Sequence, residues 1–228
     1  MFENRYERNI GTFTPEENEK LQTFRVCAVG CGGLGGYVIE ELARLGIGHI
    51  TAVDGDVFQD SNLNRQLFST EEVLGKSKAE TARERIRKVN SEVEIEARHC
   101  FLTEENGLEI ITEDFDIVVD ALDNIPGRRI VEQCCSSRKI PLVHGAIAGW
   151  QGQVSVIMPG DGLFNKLYPE NAQRGAETET GNPSFTPAVI AGLQVAETVK
   201  VLLGKGDTLK SRLLTIDLLM QEYEVIQL

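Results

Sequence analysis

A chain of 228 residues, 41% hydrophobic and 25% charged, has the composition of a globular protein with a substantial core, not of a disordered one. Its net charge of −12 disfavours nonspecific attachment to DNA, RNA or anionic membrane, so nucleic-acid partners and a membrane are not expected. The opening MFENRYERN has no apolar signal core, and five cysteines, an odd number, point to free thiols in a reducing cytoplasm.

In chain order, residues 1–24 form an arm and a helix start, with Thr14 as cap and Pro15 at the first helical position. The arm carries Arg5 and Arg8 around Tyr6 and shows no core-facing pattern. Residues 26–29 have the length and β-branched content of a buried strand. A glycine turn follows, with Gly30, Gly32, Gly33 and Gly35, and then a helical apolar pattern at Leu34, Val38, Leu42 and Leu45. A second strand, 50–53, delivers Asp54 at its carboxyl end. Strand, glycine turn, helix, strand and acid is the arrangement that binds a nucleotide. Backbone N–H groups approach phosphate without a Cβ in the way, the helix N-terminus adds favourable partial charge, and the acid meets ribose hydroxyls. Alone, this fingerprint favours a nicotinamide or flavin dinucleotide.

The polar loop 55–74, with Asp56, Asn62, Arg65 and Gln66, should sit at the mouth of that crevice. Ser77 caps a helix over 77–90 with Lys78 in its first turn, a place the helix dipole disfavours unless an anion is near. Strand 93–97, helix 103–112, strand 115–121, helix 126–139 and strand 141–146 continue a βα alternation, and Asp123 and Asn124 follow the second of these strands. Segments 150–158, 212–218 and 223–228 alternate as strands, whereas 187–204 reads as a buried helix. The fold class is therefore α/β: a Rossmann-like, doubly wound, mostly parallel sheet with antiparallel C-terminal strands. Residues 1–228 make a single domain, with 159–186 as a long crossover loop of little periodicity.

Five ordered blocks carry a more specific likeness: Gly30-x-Gly32-Gly33-x-Gly35, Asp54-x-Asp56, Ser61-Asn62-Leu63-Asn64-Arg65-Gln66, Gly75-Lys76-Ser77-Lys78 and Asp120-Ala121-Leu122-Asp123-Asn124. Together they resemble the ThiF/MoeB/HesA family, E1-like enzymes that adenylate the C-terminal glycine of ubiquitin-like sulfur carriers. Arg5-Tyr6-Glu7-Arg8-Asn9 is similar to that family's N-terminal arm, with Asn9 where glutamine is usual. The resemblance implies attack of a carrier's terminal carboxylate on the α-phosphate of ATP, giving an acyl-adenylate and pyrophosphate. It also implies that Asp54 holds the ribose, that Asn62, Arg65 and Lys78 hold the phosphates, and that Asp123 holds Mg²⁺. Arg8 is implied to reach the ATP of a homodimeric partner, and the carrier to end in Gly-Gly.

Two departures qualify the likeness. The family's common structural zinc sits on two CxxC pairs, and no CxxC occurs here, so no structural zinc is expected. Cys134 and Cys135, adjacent on a helix, read as packing residues. No cysteine follows Cys135, so the crossover loop offers no thioester or persulfide site, and sulfur is expected from another protein. Three competing readings stand beside the lead. They are adenylation of a peptide or modified tRNA-base carboxylate, a nicotinamide-dependent oxidoreductase, and a non-catalytic nucleotide-binding scaffold. The oxidoreductase leaves Arg65, Lys78 and Asp123-Asn124 unexplained. Which carrier is served, in thiamine, molybdopterin or cysteine chemistry, is left open by the sequence.

Overall fold

A computed structural model describes residues 4–173, 175 and 177–228. A 3-10 turn, Asn4–Asn9, leads into α1 (Pro15–Leu21), β1 (Arg25–Val29), α2 (Gly33–Leu45), β2 (His49–Val53), α3 (Lys78–Val89) and β3 (Glu94–Arg98). Then come α4 (Gly107–Ile110), β4 (Ile117–Asp120), α5 (Ile125–Arg138), β5 (Leu142–Ala148) and β6 (Gln151–Ile157). The chain closes with α6 (Leu163–Leu167), α7 (Glu177–Thr180), α8 (Phe185–Leu203), β7 (Arg212–Asp217) and β8 (Glu222–Gln227).

The strands form one sheet in the order β3-β2-β1-β4-β5-β6-β7-β8. Pairing is parallel from β3 to β5 and antiparallel from β5 to β8, as the alternation predicts. Parallel strands covered on both faces have no polar side, and period-two alternation sorts their residues into two cores. Val26, Ala28, Ile117 and Val119 join the cluster under α2, α3 and α8, while Cys27, Val29 and Val118 join the cluster under α5 and α6. Cys134 and Cys135 pack in this second cluster. The strand order reverses between β1 and β4, whose carboxyl ends pair at Val29 and Asp120. That switch point is where a doubly wound sheet opens its crevice.

Helix α8 is long and apolar, yet it lies in the core against α2 and β5, and its two charges are absorbed. Glu197 pairs with Lys200 and accepts the Leu209 N–H at 2.8 Å.

Three regions depart from the sequence reading. The helix predicted over 103–112 shrinks to the four residues of α4 because Asn106 turns its side chain back on the chain. Its Oδ1 accepts from Thr103 N at 2.8 Å and its Nδ2 donates to Phe101 O at 2.9 Å, a local alternative to helix bonding. The crossover loop contains α6 and α7 and is stitched to α5, although Arg174 and Ala176 lie outside the described residues. Glu132 accepts the N–H groups of Leu163 at 2.5 Å and Phe164 at 3.3 Å, and Arg129 donates to the carbonyls of Tyr168, Pro169 and Glu170.

The arm is the third departure, because it does have a core role. Tyr6 is buried, with its ring over Gly46 and its hydroxyl accepting from Asn90 Nδ2 at 2.8 Å. Arg5 donates to the same Asn90, and Asn9 donates to Leu45 O at 3.1 Å. Gly46 has φ +91°, and a Cβ there would lie 2.7 Å from the Tyr6 ring, so the glycine is needed twice over. Tyr6→Ala is expected to cost roughly 3 kcal/mol in urea unfolding, and Tyr6→Phe about 1 kcal/mol. A Tyr6→Ala protein as stable as the parent would show that the arm is not part of the folded core.

Candidate active site

The glycine turn is built by close backbone approach. Gly30, at φ +100°, donates its N–H to Val53 O at 2.8 Å, and a Cβ on it would stand 2.6 Å from Ala121 O. A Cβ on Gly35 would stand 1.8 Å from Gly30 O, so this glycine seats α2 against β1 and does not line the cavity. The N-cap of α2 is Gly32, which has no side chain to satisfy the first N–H groups. Those donors open onto a cavity of about 310 Å³ between the carboxyl ends of β1, β2 and β4.

Gly30, Gly32, Gly33, Asp54, Asp56, Arg65, Gln66, Lys78, Asp123 and Asn124 all line that one cavity. The residues come from five separate stretches of sequence, and the sheet brings them together. Asp54 accepts Cys31 N at 2.7 Å on Oδ2 and Asp56 N at 2.8 Å on Oδ1, so its carboxylate braces the turn it faces. Burial raises its pKa above the usual aspartate value, and those two N–H groups hold it back. Burial likewise pushes the Cys31 thiol well above its ordinary value, which makes Cys31 a packing residue of the turn.

Lys78 is not the exposed lysine that its position would otherwise suggest. It is buried, with Nζ 3.1 Å from Asp56 Oδ2. Arg65 is half exposed, and its guanidinium donates to Ser61 O at 2.8 Å and Asn64 Oδ1 at 2.9 Å. Gln66 is buried in the cavity wall with Oε1 unsatisfied, an acceptor without a donor. Asp123 is exposed, and its nearest polar contact is a 3.5 Å approach from Asn124 Nδ2. Asn124 Oδ1 caps α5 by accepting Gly127 N at 2.8 Å, which leaves its amide group to face the cavity.

Besides Gly35, two expected site residues lie off the cavity wall. Asn62 turns its side chain into its own loop, where Oδ1 accepts Gln59 N at 3.0 Å, and it is absent from the cavity wall. Arg8 is exposed on the arm, which is tied to the carboxyl end of α2. A helix of 13 residues separates the arm from the glycine turn by roughly 20 Å, so Arg8 cannot reach the cavity of its own chain.

Other wall residues were not singled out from sequence. Phe101 packs against Gly55, where a Cβ would come within 2.6 Å of its ring, and with Cys100 and Leu102 it gives the cavity an apolar side. Arg128 is buried, 3.5 Å from Asp120 Oδ2, and donates to Leu122 O at 2.7 Å. Asp120 in turn accepts from His144 Nδ1 at 2.7 Å, and burial lowers the His144 pKa despite that carboxylate. A cation in the first turns of α5 opposes the helix dipole, the same signal that marked Lys78, and it would have found Arg128. The aromatic at Phe101 had no such signal.

The donor set fits a nucleoside triphosphate with its metal. Phosphate oxygens need donors, which the open α2 N-terminus, Arg65 and Lys78 supply, and a hard cation needs a free carboxylate, which Asp123 offers. A family model described as the ThiF family matches residues 6–228. The chain is 35% identical to the SAMP-activating enzyme E1 of Haloferax volcanii, over 97% of its own length and 84% of that relative. It is 39% identical to the sulfur carrier protein adenylyltransferase of Thermus thermophilus, over 90% and 79%. It also matches the maize adenylyltransferase and sulfurtransferase MOCS3-1 at 35% identity, of which it spans only 49%. Among solved structures, E. coli MccB with ATP superposes with a TM-score of 0.82 over 99% of this chain and 72% of that one, at 22% identity, a likeness of fold.

Proposed function

The chain belongs to the ThiF family and is an adenylyltransferase, and from that premise we propose that it activates the C-terminal glycine carboxylate of a small ubiquitin-like sulfur carrier with Mg·ATP. The observation that carries the reading is that Arg65, Lys78 and Asp123 share one cavity with the glycine turn. A dinucleotide-dependent oxidoreductase has no use for that set.

In this reading the open end of α2, Arg65 and Lys78 hold the triphosphate and absorb charge as pyrophosphate leaves. Asp56 keeps the Lys78 ammonium aimed at the cavity before the nucleotide arrives. Asp123 would hold Mg²⁺, which draws charge from the phosphate oxygens when bound. Asp54 and the cavity's apolar side at Phe101 hold the nucleoside. The carrier carboxylate attacks the α-phosphorus, its O–P bond forms as the bond to pyrophosphate breaks, and an acyl-adenylate results.

The active unit is a homodimer in which Arg8 serves the partner's cavity, a role supported by the roughly 20 Å that separates it from its own. The five cysteines are all free thiols, in keeping with a reducing cytoplasm.

Calorimetric titration with Mg·ATP and with NADH tests the nucleotide choice. Binding of Mg·ATP with no comparable heat from NADH is expected, and tighter binding of NADH would sink the reading. Phe101→Ala should raise KM for ATP about tenfold with little change in kcat, because a stacked base is worth roughly 1–3 kcal/mol. An unchanged KM would remove Phe101 from the nucleoside site.

A further inference from the structure

A second cavity, of about 670 Å³, lies over the antiparallel end of the sheet and meets the first at Arg128 and Ile147. Its floor is set by strand register. Paired residues on antiparallel strands present side chains to one face. Gln153, Thr215 and Glu224 therefore stand in one row across β6, β7 and β8, and Gln151, Asp217 and Glu222 stand in the next. Both rows end in carboxylates at the outer edge. Asp217 and Glu222 are directly opposed; the Asp217 carboxylate accepts from Gln151 Nε2 and from the N–H groups of Leu219 and Met220, so Glu222 and Glu224 are the outward-facing charges of the rows. Glu222 and Glu224 are exposed and enter no ion pair among the described residues.

The inner end has the opposite sign. Arg128 is the one cation among the described residues lining this cavity and is only 4% exposed; its Nε stands 3.5 Å from Asp120 Oδ2 but makes no hydrogen bond. It is joined to the first row through Tyr168, whose hydroxyl accepts from Arg128 at 3.3 Å and from Gln153 Nε2 at 3.0 Å. The cavity is thus a groove with a buried guanidinium beside the nucleotide site and carboxylates at its mouth.

We infer that this groove selects a substrate tail of fixed polarity, with its terminal carboxylate at Arg128 and a lysine or arginine side chain over Glu222 and Glu224. The inference rests on the carboxylate-adenylation reading. Geometry sets the spacing. Gln153 and Glu224 are two strands apart, roughly 10 Å at 4.8 Å per strand, and an extended peptide covers about 3.3 Å per residue. The cation therefore sits about three to four residues before the terminal glycine. Neutral amide and hydroxyl groups floor the stretch between, where small residues such as glycine pass.

The test uses labelled peptides ending in free Gly-Gly, identical but for lysine, alanine or glutamate at that upstream position, with binding read by fluorescence anisotropy. Lysine should bind about tenfold tighter than glutamate at low salt, with alanine between, and the gap should shrink as salt rises. The double variant E222K/E224K, changed only at exposed strand positions, should invert the order. Amidating the C-terminus should weaken all three peptides alike by removing the charge that meets Arg128. Equal binding by lysine and glutamate peptides, an order unchanged in E222K/E224K, or no binding by any peptide would overturn the inference. Pyrophosphate exchange on the same peptides separates the two readings. Exchange without a charge order refutes the polarity alone, and a charge order without exchange refutes adenylation alone.

Discussion

Asp123→Ala should abolish pyrophosphate exchange while leaving thermal unfolding almost unchanged. The residue is exposed beyond the end of β4, and its nearest polar contact is the 3.5 Å approach of Asn124 Nδ2, so little stability depends on it. Its neighbours do the structural work. Asp120 is fully buried and anchors His144, Arg128 and Leu122 N, while Asn124 caps α5. Losing the carboxylate proposed to hold the metal should lower turnover by about a thousandfold, or roughly 4 kcal/mol of transition-state stabilisation. Near-parental turnover in a folded Asp123→Ala protein would show that the metal role is misassigned.

The second large effect is expected at Arg8, and it should appear across subunits. Arg8→Ala should lower exchange by about a thousandfold, the scale of an arginine supplied to a phosphoryl group by a second polypeptide. The arm itself is fixed by Tyr6 and Asn9 to the end of α2 that points away from the cavity, so the arginine has a defined place, and it enters no ion pair among the described residues. Mixing Arg8→Ala subunits with Asp123→Ala subunits, each inactive alone, should restore one working site per mixed dimer. Random pairing then gives roughly a quarter of the parental activity. No recovery after proven subunit exchange would contradict action in trans.

What the sequence made legible follows from how local each signal is. The parallel sheet was readable because strands buried on both faces are continuous apolar runs, as in residues 26–29 and 115–121. Lys78 and Asp123 stood out through the motif blocks that resemble the family, since the charge of a first-turn lysine alone reads as an exposed residue, and the structure places both on the wall of the one cavity. The arm was misread because Tyr6 finds its partners in Gly46 and Asn90, which only the folded chain brings near. Helix 103–112 was over-extended because the side chain of Asn106 competes with the backbone, a choice that apolar spacing does not report. The acidic rows on β7 and β8 depend on register, and register is fixed by the turn after Asp217, where its carboxylate accepts the N–H groups of Leu219 and Met220. The bond from Gln151, and then that from Met220, holds this carboxyl below the usual aspartate range.

The central claim is that a terminal carboxylate on a ubiquitin-like carrier is the nucleophile toward ATP. ATP–pyrophosphate exchange with a Gly-Gly-ended sulfur carrier, run beside the same carrier lacking its last glycine, tests it most directly. Exchange that requires Mg²⁺ and the intact Gly-Gly end is expected, with an AMP adduct on the carrier visible by intact mass. Exchange that proceeds equally without the terminal glycine, or none with any Gly-Gly carrier from a protein that binds Mg·ATP, would contradict it.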